Sequence, residues 1–202
     1  MILIKNRKDI FAICGYNYPV NIPADYPYNF YLFKGAPGWG IGLWKNRHNK
    51  IDISVSSVNK FLKNYKNIVK VRRVANYLLP HLFDIVTNNF VAGDIIYSMN
   101  LVKNNMFCIL PVISKVRNYG LDGTGVHGGL TKNNVFMNQS IDDAKYFDFS
   151  TPVNKVTENK ELTLIVQKNL GMPNIEVFKR LMLFLARNTN LYEYYKKLKK
   201  SL

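Results

Sequence analysis

Ser114-Lys115-Val116-Arg117-Asn118-Tyr119-Gly120 runs into Leu121-Asp122-Gly123-Thr124-Gly125-Val126-His127-Gly128-Gly129. Five glycines between Asn118 and Gly129 exclude a regular helix or strand there. Gly123, Gly125, Gly128 and Gly129 let backbone amides approach a phosphate closely, and His127 adds an imidazole that can ligate a divalent cation or donate to a diphosphate. The ordinary alternative for a single histidine is a structural hydrogen bond. Lys115 and Arg117 stand just upstream as candidate phosphate contacts, or as solvated residues of a strand edge.

Working towards the N-terminus, Phe107–Leu110 reads as a buried strand and Ile113–Val116 as a short extended piece after Pro111. Gly93-Asp94-Ile95-Ile96 opens a helix in which Ile95, Met99 and Val102 recur at i, i+4 and i+7. Asp94 falls at that helix N-terminus, where a carboxylate is stabilised as the anion; a plain capping role is the alternative. Ser56 or Ser57 can cap an earlier helix carrying Val58, Phe61, Leu62 and Tyr65, and a second is expected over Val71–Val86, kinked or divided at Pro80. Ile10–Cys14 reads as a short strand, followed by a long Pro-, Tyr- and Asn-rich loop over residues 16–37. Its tyrosines could serve as flat platforms for sugars or as half-buried packing. Beyond the glycines, Phe178, Leu181, Met182 and Leu185 form a helical stripe after Pro173, and Leu191, Tyr194, Tyr195 and Leu198 form another among lysines.

Composition sets the class. A hydrophobic fraction of 48% is enough for a core and excludes a disordered chain. Lys and Arg number 28 against 13 Asp and Glu, a formal charge of +15 that attracts polyanions: nucleic acid, anionic lipid or the diphosphate of an activated sugar. No Cys/His zinc spacing accompanies that charge. Cys14 and Cys108 lie in apolar stretches and read as buried free thiols. No apolar run reaches the roughly 18 residues of a membrane span, so the chain is expected to be either soluble in the cytoplasm or peripheral to the inner face of the membrane.

Three ordered blocks then carry a resemblance: Gly38-Trp39-Gly40-Ile41-Gly42-Leu43-Trp44-Lys45, the Gly93-Asp94-Ile95-Ile96 helix ending in Lys103-Asn104-Asn105, and Pro111 through Gly129. Together they resemble bacterial glycosyltransferases of the GT-A fold, close to the family-two-like enzymes that build capsular or lipopolysaccharide glycans. The likeness runs over about Ile10–Gly129. It implies that Asp94 is the acceptor-activating base, and that Gly123, Gly125, His127 and Arg117 lie near the donor diphosphate. It further implies that His127 completes a metal site, and that Trp39 and Gly40 line the acceptor or sugar pocket. Trp44 is better read as core packing.

A complete enzyme of that kind would use a divalent cation, Mn or Mg, held by an acidic pair such as Asp-x-Asp; this sequence contains no such triplet. The expected fold is therefore α/β, the C-terminal part of a GT-A fold with a short mixed sheet, flanking helices and a helical extension. Residues 1–135 would be the acceptor-side half and 136–202 the extension. The expected partners are a nucleotide sugar, a glycan acceptor, a second polypeptide carrying the donor-binding half, and anionic membrane through the Lys-rich C-terminal helix. Alone, the chain would be inactive. The competing expectation is a non-catalytic basic module that binds nucleic acid or anionic membrane.

Overall fold

The computed structural model describes residues 7–121, 139–144 and 152–189. Among them the strands are β1 (Ile10–Cys14), β2 (Phe30–Phe33), β3 (Ile41–Leu43) and β4 (Phe107–Pro111). They form one mixed sheet in the order β2-β4-β1-β3, with β1 and β4 parallel and both outer pairings antiparallel. The helices are α1 (Lys45–His48), α2 (Val55–Leu62), α3 (Tyr65–Val74), α4 (Leu78–Asn88), α5 (Gly93–Asn104), α6 (Lys160–Leu170) and α7 (Asn174–Asn188). The class is α/β with a small mixed sheet.

Both faces of the sheet are covered, which is why its central strands are apolar throughout rather than alternating. Tyr31 and Phe33 of β2, with Cys108 and Leu110 of β4, face the helical core built on α2, α4 and α5. Phe30, Leu32, Phe107 and Ile109 face the other way, against Val153 and Val156. In β1 a bulge between Ile10 and Ala12 breaks the alternation, so Phe11 and Ala12 both join the helical core while Ile10 joins the other. The two buried thiols, Cys14 and Cys108, are free as expected.

β2 lies inside the stretch expected to be an irregular loop. The helical region also divides differently from the expectation. Ser54, not Ser56 or Ser57, caps α2, its hydroxyl accepting from the Ser57 amide at 3.2 Å. The chain breaks between α3 and α4 at Ala75, and Pro80 falls in the first turn of α4, where its missing N–H costs nothing. α4 and α5 both end on an asparagine in the left-handed region, Asn89 and Asn105, each at φ 53°. Ile113–Val116 forms no strand; Ser114 makes a single parallel bridge to Ile141.

α7 packs on α4. Phe184 meets Phe83 with ring centroids 5.2 Å apart, Arg180 ion-pairs with Asp84, and Arg187 donates to the Thr87 carbonyl. The stripe of Phe178, Met182 and Leu185, joined by Ile175, points away from this contact and is exposed. Among the described residues no helix is long and apolar enough to cross a membrane. The Lys-rich segment after residue 189 lies outside the described residues.

Candidate functional site

Parallel strands deliver their following loops to one edge of a sheet, the usual position of a ligand crevice. Here the segments after β1 and β4 are stitched together. The Lys115 amide donates to the Gly15 carbonyl at 2.7 Å, and the Gly15 amide donates to the Gly40 carbonyl at 2.7 Å. Asn17 is the hub of this arrangement. Its Nδ2 donates to the Val112 carbonyl at 2.7 Å, its Oδ1 accepts from the Tyr31 hydroxyl at 2.6 Å, and its amide donates to Ser114 Oγ at 3.1 Å. Gln139 Nε2 donates to the Asn17 carbonyl at 2.6 Å. Beside this knot opens a cleft of about 540 Å³ lined by Tyr18, Pro19, Ile22, Val112 and Ile113.

The glycine-tryptophan block lies along the same edge. Gly40 adopts φ +62°, and a Cβ there would press on the Val116 methyls at 3.0 and 3.1 Å, so glycine is required twice over. Trp39 is 37% exposed and meets Tyr16 edge-on, ring centroids 4.6 Å apart. A Cβ on Gly38 would lie 3.7 Å from Asp94 Cβ. The block and the head of α5, remote in sequence, are therefore neighbours. Ser98 ties them further, its hydroxyl donating to the Asp94 carbonyl at 2.8 Å and accepting from the Ala36 amide at 2.9 Å.

Asp94 is exposed, and its Oδ1 accepts from the Ile95 amide at 2.9 Å. Ala92, not Asp94, is the N-cap of α5, and it offers no capping side chain. No cation pairs with the Asp94 carboxylate among the described residues. Its charge is felt by the buried Tyr18 and Tyr77 hydroxyls, which burial pushes up first and which Asp94 raises further. Both phenols therefore remain protonated donors at neutral pH.

Arg117 lies beyond Val116, its Nη2 donating to the Gln139 carbonyl at 2.7 Å, and its buried Nε has no hydrogen-bond partner among the described residues. Lys115 is ion-paired with Asp142 at 2.5 Å, which holds that carboxyl below the usual range. Gly123, Gly125 and His127 lie outside the described residues. Among the described residues no group of three His, Cys, Asp and Glu side chains is placed to hold a metal ion. His48 shares a 3.0 Å hydrogen bond with the Tyr97 hydroxyl, a structural role. Trp44 is half-buried against the second core cluster, as expected. Asn17 and Gln139 were not legible as site residues, because each gains its importance from partners far away in sequence.

No family model, curated protein or solved structure matches the chain.

Proposed function

We propose that this chain supplies the acceptor side of a nucleotide-sugar glycosyltransferase of the GT-A type, acting on a glycan or lipid-linked acceptor in surface polysaccharide synthesis. The observation that supports this reading is Asp94, an exposed carboxylate with no paired cation among the described residues, at the head of α5 and beside Gly38, the residue before Trp39. In an inverting transfer the acceptor hydroxyl oxygen bonds to the anomeric carbon. The bond from that carbon to the diphosphate oxygen breaks, and its electron pair leaves with the diphosphate. The hydroxyl proton passes to a carboxylate, the role given to Asp94. Trp39 offers a flat apolar face to a sugar ring. The diphosphate would meet the Gly123–His127 loop and a donor-binding half, on this or a second polypeptide.

Two readouts on the same protein test this. One is nucleoside diphosphate release from UDP- and GDP-hexoses; the other is quenching of Trp39 fluorescence by short bacterial oligosaccharides. The reading expects saturable quenching by at least one oligosaccharide in the wild type, and any turnover to disappear in Asp94→Asn. Turnover surviving Asp94→Asn, or no quenching by any oligosaccharide, counts against it.

A second reading, the non-catalytic polyanion binder, is favoured by α3, where Lys66, Lys70 and Arg73 recur at i, i+4 and i+7. Under it, polyanion affinity falls steeply with salt and Asp94→Asn changes nothing.

A further inference from the structure

A chamber of about 490 Å³ opens at the opposite end of the sheet, beneath the starts of β1 and β4. It is lined by Lys8 and Phe11 from the β1 region, Asn46, Arg47, Lys50 and Ile51 from α1 and its exit, Asn100, Leu101 and Asn104 from α5, and Met106 before β4. Among the described residues three cations line it and no carboxylate does. On the α5 axis, Asn104 is about 15 Å from Asp94 at 1.5 Å per residue, so this chamber is separate from the candidate acceptor site.

Its charge is only partly offset, by Asp9 acting on Arg47. The nearest acidic group in sequence, Asp9, accepts from Arg7 Nε and Nη2, at 2.7 and 2.6 Å. Neither Lys8 nor Lys50 forms an ion pair among the described residues. Arg47 is stacked over the Trp44 ring, 4.1 Å from its centroid, and its buried Nη1 has no hydrogen-bond partner among the described residues. Burial pulls its pKa down, and Asp9 offsets that only in part. A partly desolvated guanidinium with a buried, unsatisfied nitrogen is costly to keep, and a phosphate oxygen is a partner that suits its geometry.

The C-terminus of α5 carries a partial negative charge that would oppose an anion, worth roughly half an elementary charge. Three full cations outweigh it, and Lys70 Nζ donates to the Lys103 carbonyl at 3.0 Å, blunting that terminus. The rest of the lining suits an organic body rather than a bare anion. Phe11, Ile51, Leu101 and Met106 form an apolar floor. Asn100 and Asn104 share one helix face and, with Asn46, bring amides able to donate to and accept from a heterocycle edge. Asn100 already donates its Nδ2 to the Ile96 carbonyl at 2.9 Å, which orients it.

We infer that this chamber binds a phosphorylated small molecule of nucleotide size, its phosphate against Lys8, Arg47 and Lys50 and its base over the apolar floor beside the asparagines. The inference does not depend on the glycosyltransferase reading.

Isothermal titration of the full chain tests it, with the four ribonucleoside 5′-monophosphates, the matching nucleosides, glycerol 3-phosphate and inorganic phosphate as probes. At least one monophosphate is expected to bind with Kd below about 1 mM. Its nucleoside, glycerol 3-phosphate and inorganic phosphate should each bind at least tenfold more weakly. Lys50→Glu and Asn104→Asp, both at exposed positions, should weaken binding tenfold or more with thermal midpoints unchanged. Lys60→Glu, the same charge change on α2, should leave it unaltered. Equal binding of inorganic phosphate or glycerol 3-phosphate overturns the nucleotide class. No binding below about 1 mM, or wild-type affinity in Lys50→Glu, overturns the site.

Discussion

Trp39 stands edge-on to Tyr16, their planes 85° apart, so the buried phenol props an exposed indole at the mouth of the candidate acceptor site. Removing the indole forfeits an aromatic pair contact of about 0.5–1.5 kcal/mol, a modest loss for the fold. Trp39→Ala is therefore expected to unfold cooperatively with a slightly lower midpoint while losing oligosaccharide binding by about tenfold or more, a difference of ~1.4 kcal/mol. Calorimetric melting and glycan titration on the same preparation separate the two effects.

Asn17→Leu preserves much of the volume but strips two hydrogen bonds from the knot between the β1 and β4 loops. The Gln139 bond to the Asn17 carbonyl survives, because that acceptor is backbone. The Tyr31 hydroxyl and the Val112 carbonyl lose their partner. A cost of about 2–4 kcal/mol is expected, read as a shift in the urea midpoint at unchanged slope.

Two glycines should respond oppositely to alanine. A Cβ at Gly35 would meet Phe33 Cε1 at 2.3 Å and the Tyr77 hydroxyl at 2.4 Å, with no room to relax inside the core. Gly35→Ala should cost about 1–3 kcal/mol or more. Gly93 has nothing within 4 Å and begins α5 with helical geometry, so Gly93→Ala should be neutral or stabilise by up to about 1 kcal/mol. Denaturant melts of the pair check both signs.

His81 on α4 has its pKa lowered, first by burial and then by the charge of Arg180. The unfolded chain thus binds more protons than the native one between the depressed value and 6.5. Stability from this residue is full above pH 6.5 and is lost as pH falls through the folded value. Asp84 has the opposite sign: burial raises its carboxyl despite the Arg180 ion pair, so its contribution is full below 3.8 and lost as pH rises through the folded value. The thermal midpoint should fall between pH 7.5 and 5, and His81→Gln should flatten that slope. An unchanged slope in the variant counts against the assignment.

The strand at Ile10–Cys14, the strand read as Phe107–Leu110 and the helix opening at Gly93 were legible because short unbroken apolar runs and i, i+4, i+7 spacing survive without tertiary context. Phe30–Phe33 was not, since four apolar residues among prolines and tyrosines fit either a loop or a short strand, and pairing with β4 decides between them. Pro80 misled because its effect depends on where a helix starts, and that start is set by the Ala75 break. The approach of Gly38 to Asp94 is a product of topology, so the two motifs stand in the sequence with nothing to join them.

The outward face of α7 has a practical consequence for handling the protein. A charge of +15 keeps copies apart at low ionic strength, where its field extends tens of ångströms. Near 1 M salt that field shrinks to about 3 Å, and Ile175, Phe178, Met182 and Leu185 meet their counterparts without an opposing force. The protein should therefore behave as a charge-stabilised colloid, monodisperse in dilute buffer and salting out early, the reverse of the usual advice for a strongly basic chain.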